Sequence, residues 1–158
     1  MIFRHSMALL AAVLIAGCQI SSGTSPVSAI EKRQVEQKVM AYSVDVIYGS
    51  TLAVLVDQGY TIQNSDKAGG LIVAEKFGEK RPWGFVAYDR DVFSTSVVIS
   101  PSSGSNALVR YTVRQKVFTN IGYGEGIKEV KEILDPDVSN AFFTLLKTEA
   151  ERRSAGFN

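Results

Sequence analysis

The sequence predicts an α+β two-layer sandwich, with two helices on one face of a four-stranded antiparallel sheet, or of a five-stranded sheet if a short strand precedes the first helix. Three observations carry this. Residues 107–118 alternate: Ala107, Val109, Tyr111, Val113 and Val117 fall on one side, and Arg110, Thr112, Arg114 and Lys116 on the other. That is the pattern of a strand with one face on a core and one in water. Residues 44–58 and 136–153 each follow a capping residue and carry apolar side chains at helical spacing. Between them lie β-rich runs separated by Gly, Pro, Asn and Ser clusters. A chain of 158 residues supports one domain with a real core, placed here at residues 34–153.

Taken in order, residues 34–42 read two ways. Val35, Val39 and Ala41 at odd positions suggest a short strand, whereas Val35, Val39, Tyr42 and Val46 fit a helix running on from Ile30. Ser43 then caps the first main helix, with Asp45 in its first turn. Val44, Tyr48, Leu52 and Leu55 form its stripe, and Gly59 stops it. Residues 60–63 alternate, residues 64–70 are turn chemistry, and residues 71–76 are β-rich again, so together they predict a hairpin with a wide loop. Residues 92–100 form a third strand with Phe93, Val97 and Ile99 on one side, and residues 101–106 turn into the alternating strand. Residues 120–134, broken by Gly122, Gly124 and Gly126 and then charged, read as a loop. Asp135 as cap and Pro136 at the first helical position open the last helix. Its stripe is Val138, Phe142, Leu145 and Leu146, and Arg152 and Arg153 sit at the negative end of its macrodipole. Residues 154–158 form a frayed tail.

The phrase Leu55-Val56-Asp57-Gln58-Gly59-Tyr60-Thr61-Ile62, followed by Gly69-Gly70-Leu71-Ile72-Val73-Ala74, resembles the small helix-grip domains of bacterial envelope lipoproteins, such as those in a lipoprotein component of the β-barrel assembly machinery. The resemblance carries over no functional residue.

Ahead of the domain, Arg4 and His5 give a basic start, residues 7–16 are apolar without interruption, and Ala16 and Gly17 are small. That order predicts a secretory signal peptide at residues 1–17. The apolar run is well short of the roughly 20 residues that cross a bilayer, and it lacks the polar face of a surface helix packed on a globular core. Ile15-Ala16-Gly17-Cys18 resembles the lipobox of bacterial lipoproteins. The resemblance implies a diacylglyceryl thioether on Cys18, cleavage before it, and acylation of the new amine. Several acyl chains on one residue make a stable membrane anchor, where one alone is marginal. Gln19 is not the Asp that in this family typically holds a lipoprotein in the inner membrane, so the expected location is the outer membrane, facing the periplasm, with the periplasmic side of the inner membrane second. Residues 18–33, rich in Ser and carrying Gly23 and Pro26, are expected to be the lipidated Cys and a flexible tether.

Composition limits the chemistry. Cleavage before Cys18 removes Arg4 and no acid, leaving 16 cationic against 16 acidic side chains. A balanced charge argues against a nucleic-acid binder. His5 and Cys18 are the chain's single His and Cys, so the domain has neither imidazole nor free thiol. That excludes Ser-His-Asp and Cys-His catalysis, disulfides, and zinc sites built on His or Cys. No metal and no cofactor is expected.

Two groups of residues are candidates for binding. Arg81, Trp83, Phe85 and Tyr88 fall in an expected loop at residues 77–92, and Trp, Tyr and Arg are frequent anchors of binding surfaces. Alternatively, Trp83 and Phe85 cap the core, or residues 85–88 pair as a hairpin arm. Arg110, Arg114 and Lys116 share the solvent face of one strand and suit anionic headgroups or an acidic partner; they equally suit an ordinary solvated face. Gly122, Gly124 and Gly126 miss the dinucleotide fingerprint, whose third Gly falls one position later. Asp89 and Asp91 flank Arg90 and are more simply a turn with local ion pairs than a two-carboxylate hydrolytic site. The expectation is a non-enzymatic lipoprotein with a protein partner in the envelope. The alternatives are a small-ligand or lipid binder and, more remotely, a carboxylate-based hydrolase.

Overall fold

The computed structural model of the chain describes residues 28–122 and 124–156. The expected signal peptide and Cys18 lie outside the described residues. Three helices and six strands follow in the order α1 (Ala29–Glu36), β1 (Gln37–Met40), α2 (Val44–Asp57), β2 (Thr61–Asp66), β3 (Leu71–Pro82), β4 (Tyr88–Pro101), β5 (Ala107–Asn120), β6 (Glu125–Ile133) and α3 (Pro136–Ser154). The class is α+β with an antiparallel sheet, and the sheet has six strands rather than four or five. Its order is β1-β5-β4-β3-β2, with β6 also paired to β5. β1 and β6 share one edge of β5 end to end, β1 against residues 107–110 and β6 against residues 113–120.

Both readings of residues 34–42 hold in succession, because the chain is helical to Glu36 and extended from Gln37. The expected tether to residue 33 is correspondingly too long. Ser28 and Glu31 form a reciprocal cap, the Ser28 N–H donating to Glu31 Oε2 at 2.9 Å and the Glu31 N–H to Ser28 Oγ at 3.2 Å. Residues 120–134, expected as a loop, form β6 instead. Nearly every β6 side chain is exposed, so no apolar alternation marks the strand, and its hydrogen bonds to β5 define it. The expected loop at residues 77–92 is mostly strand. β3 and β4 stay paired through Pro82 and Tyr88 across a bulge at Gly78 and Glu79, and only residues 83–87 connect them.

α2 and α3 pack together on the sheet face that carries Ile72, Ala74, Val97, Ile99, Val109, Tyr111 and Val113. The stripes differ from expectation. α2 buries Ile47, Tyr48, Ser50, Thr51, Val54 and Leu55, and Val44 and Leu52 sit at the margin. α3 buries Ser139, Phe142, Phe143, Leu146 and Ala150, while Val138 and Leu145 face solvent. Phe142 stacks on Tyr111 with centroids 3.9 Å apart, and Phe143 meets both rings edge-on. That aromatic triad needs adjacent positions on α3, which turns the helix away from Val138 and Leu145.

The core ends partway along the sheet. In β5 its last buried member is Val113 and in β3 it is Ala74. Beyond them the same face carries Arg81, Asp89, Asp91, Gln115 and Thr119, with Phe93 and Val117, expected on the core side, only half-buried among them. The far halves of β3, β4, β5 and β6 therefore project past the helices as a four-stranded arm. The side chain that this arm buries most completely, Val92, lies on the opposite face beside Phe77 and Lys116.

Candidate functional site

The arm ends in two adjacent turns, residues 83–87 between β3 and β4 and residues 121–124 between β5 and β6. The first is closed by the Trp83 N–H donating to the Ala87 carbonyl at 3.0 Å. A Cβ placed on Gly122 would lie 3.1 Å from Val86 Cγ2, so the two turns touch. Gly122 has φ of +79° and its N–H donates to Asn120 Oδ1 at 2.9 Å. The Gly-rich run is thus a hairpin turn between strands and not a phosphate-binding loop ahead of a helix.

At this tip Trp83 is 58% exposed, Phe85 fully so, and Val86 and Ile121 are 71% and 57% exposed. The core-cap reading of Trp83 and Phe85 does not hold, since both rings are exposed. Residues 85–88 do not pair among themselves as a short arm either: residues 83–87 are the turn of the longer β3–β4 hairpin, whose pairing begins at Pro82 and Tyr88. The indole N–H of Trp83 donates to Asp89 Oδ1 at 3.1 Å, leaving the ring open. Arg81 makes a two-pronged ion pair with Asp91, its Nη2 donating to Oδ1 at 3.0 Å. The Tyr88 hydroxyl donates to Glu125 Oε1 at 3.2 Å, and Lys80 Nζ sits 4.7 Å from the centre of the Tyr88 ring. Lys128 reaches Asp89 at 3.1 Å, and Arg90 lies over Phe77 while reaching Glu125 at 3.5 Å.

Asp89 and Asp91, the paired carboxylates of the sequence, are unsuited to proton donation. A hydrogen bond from Thr119, joined by Lys128, holds the Asp89 carboxyl below the usual range, and Arg81 does the same for Asp91. A glycosidase general acid needs the opposite displacement. Burial pushes the Tyr111 and Tyr60 hydroxyls upward, so neither is a phenolate at neutral pH. Among the described residues no group of three or more metal-ligating side chains converges, and no helix is long and apolar enough to cross a membrane.

The basic row lies on the outer sheet face, as its spacing requires, but its members do different things. Arg110 donates twice, from Nε at 3.1 Å and Nη2 at 3.0 Å, to Glu36 Oε2, and Glu36 is buried. Lys116 donates to Glu75 Oε1 at 3.2 Å. Arg114 makes no ion pair among the described residues and lines a polar recess of about 230 Å³ with Lys32, Ser96, Arg110, Thr112 and Glu132. Tyr88 pairs across from Asn120, six strand residues and so about 20 Å from Arg114. The structure therefore separates Arg81, Trp83, Phe85 and Tyr88 from Arg110 and Arg114. The sequence reading missed Val86 and Ile121, whose signal is a large apolar residue inside a Gly-flanked turn.

The space between helices and sheet is packed. Open clefts remain at its margins, one of about 300 Å³ between Val54, Asp57, Leu145 and Glu149, and one of about 390 Å³ beside Tyr60, Lys76, Tyr111 and Val138. No protein-family model matches this chain, and none of the curated proteins does. Among solved structures, a DUF4468 family protein from Bacteroides ovatus ATCC 8483 is 13% identical, over 72% of this chain and 84% of that one, with a TM-score of 0.39. No functional residue is taken from it.

Proposed function

We propose that the chain is an envelope lipoprotein, tied by acyl chains on Cys18 to the outer membrane and facing the periplasm, and that it acts by contact and not by catalysis. The single observation that supports a contact role is the arm. The protein exposes its only Trp together with Phe85, Val86 and Ile121 at one projecting end, while its interior is filled. A small-ligand carrier requires the reverse, an apolar cavity with convergent polar groups. The arm's outer face, with Tyr88 and the basic residues Arg114 and Lys116 further along the sheet, offers an envelope protein the mix of aromatic and cationic groups typical of interface anchors. Arg81 lies on the opposite face.

Two measurements test this. Fatty-acid labelling in cells is expected to mark the wild-type protein and not Cys18→Ser; equal labelling of both sinks the anchor. A photocrosslinking residue at position 88 is expected to capture an envelope protein in intact cells, and the same group at exposed Val56 on the far side of α2 is not. Equal yields from both positions would remove the arm as the contact surface.

A further inference from the structure

We infer that the apolar tip formed by Trp83, Phe85, Val86 and Ile121 rests in the surface of the same bilayer that holds the Cys18 acyl chains, so that the domain meets the membrane at two points. This rests on the lipid-anchor part of the proposed function and gives the tip of the arm, as distinct from its flank, a lipid occupant.

Three features favour lipid. First, the tip is made of turn residues, Phe85 and Val86 line an open hollow of about 550 Å³ with Lys80, Pro82 and Tyr88 at its base, and between Trp83 and Ala87 and at Ile121 and Gly122 there is no charged side chain. Most charges below it are paired, Arg81 with Asp91, Lys128 with Asp89 and Arg90 with Glu125, while the Lys80 ammonium lies over the Tyr88 ring. An apolar cap over a largely paired collar can enter the interface at little desolvation cost, and the long Lys80 side chain can keep its ammonium at the headgroup level. Second, Trp83 has the amphipathic arrangement of interfacial tryptophans, with its N–H tied to a polar group and its ring free. Third, the chain leading to the anchor emerges on the correct side. Lys32 reaches Glu132, which pairs across to Arg114, and Glu36 reaches Arg110. α1 therefore runs along β5 from the level of Arg114 toward Arg110, and its N-terminus points toward the tip. Ser28 lies one helical turn before Lys32, about 6 Å nearer the tip, and Arg114 is about 20 Å from Asn120. Roughly 14 Å thus remains between the level of Ser28 and the two turns. The ten residues from Cys18 to Val27 span at most about 35 Å, so Cys18 and the tip can lie in one plane.

The test uses the lipidated protein reconstituted into phosphatidylethanolamine–phosphatidylglycerol vesicles, some carrying bromine on the upper acyl carbons. Flotation reads the anchor, and bromine quenching of Trp83, the only Trp, reads the tip. The expected result is flotation with strong quenching by brominated lipid and protection from aqueous iodide. Phe85→Ser combined with Val86→Ser should keep flotation and lose most of the quenching. These side chains are exposed, so an unchanged circular dichroism spectrum is expected of the variant. Without acyl chains, Cys18→Ser should still bind vesicles weakly, and adding Phe85→Ser should reduce that binding roughly tenfold or more, the equivalent of one buried Phe. Flotation with Trp83 unquenched and open to iodide overturns the inference and leaves the anchor standing. Protection of Trp83 from iodide that appears only when an envelope protein is added, without quenching by brominated lipid, assigns the tip to that protein and also overturns it. A protein that neither floats nor takes a fatty-acid label fails on both counts.

Discussion

Replacing Val113 by Asp tests whether the core sits on the sheet face assigned to it. Val113 is 4% exposed, opposite Thr95 in β4 and Ile133 in β6. Losing its burial costs about 1.5–3 kcal/mol. An Asp there must stay protonated, and holding at pH 7 a carboxyl whose ordinary pKa is near 4 costs about 4 kcal/mol, at about 1.4 per unit. The total of roughly 6 kcal/mol is comparable to the whole stability of a small domain, so Val113→Asp should be largely unfolded at neutral pH. The folded-state pKa of such an acid is raised, so its penalty grows as pH rises through the carboxylate range and shrinks as pH falls. Part of the loss should therefore return near pH 4.5. Thr112, one residue earlier, faces outward between Arg110 and Arg114, and Thr112→Asp should change stability by no more than about 0.5 kcal/mol. Urea unfolding of both variants, followed by circular dichroism at pH 7 and 4.5, measures this. Equal midpoints for the two variants, or a deficit in Val113→Asp that does not depend on pH, would refute the register and the account of the core.

Gly70 has φ of +65°, and a Cβ there would fall on the Ile99 carbonyl oxygen, whose own N–H donates to the Gly70 carbonyl at 2.8 Å; Gly70→Ala should lower the melting temperature sharply, by about 3 kcal/mol or more in stability, whereas Gly126→Ala, with open space around it, should not. Arg110→Ala leaves Glu36 buried with only Lys32, 3.8 Å away, and should cost about 2–3 kcal/mol by denaturant titration, short of the 3–5 of a wholly uncompensated buried charge; Arg114→Ala should cost almost nothing. Arg152, with Arg153, draws the Glu149 carboxyl down to about 2, so its contribution is present above the ordinary Glu range and is lost as pH falls toward 2. Glu149→Gln should therefore flatten the acid side of a melting-temperature profile without moving its neutral plateau by more than about 1 kcal/mol in stability.

Where one face of an element meets a hydrophobic core, its pattern was legible. β5 carries its burial in strict alternation to Val113, and the Ser43 and Asp135 caps and the Gly59 stop stand where local chemistry puts them. β6 was not legible, because a strand whose side chains all meet water has no alternation to display. Its identity comes from backbone pairing with β5, which sequence spacing does not encode. The start of α1 was legible in principle, since Ser28 and Glu31 have capping-box spacing, but the Ser-rich stretch before it masked the signal. For the candidate residues, strand parity placed Arg110, Arg114 and Lys116 on one outer face, yet it could not show that Glu36, 74 positions away from Arg110 in sequence, neutralises the first of them.

That pairing bears on where contact can occur. A row of three cations at one strand face suggests an electrostatic surface, but two of the three are held by Glu36 and Glu75, and the field they project is correspondingly small. The same pattern repeats along the arm, where Arg81, Arg90 and Lys128 each have an acid within reach. Pairing of this kind allows four strands to extend past their helices: with no core beneath that half, cross-strand ion pairs and ring contacts such as Arg90 over Phe77 hold it in register. Its consequence is that charge does not distinguish the arm from ordinary surface. What does is Trp83, Phe85, Val86 and Ile121, which neither the core nor the ion pairs use. An arm stabilised without its tip can keep those four side chains free for a surface outside the molecule.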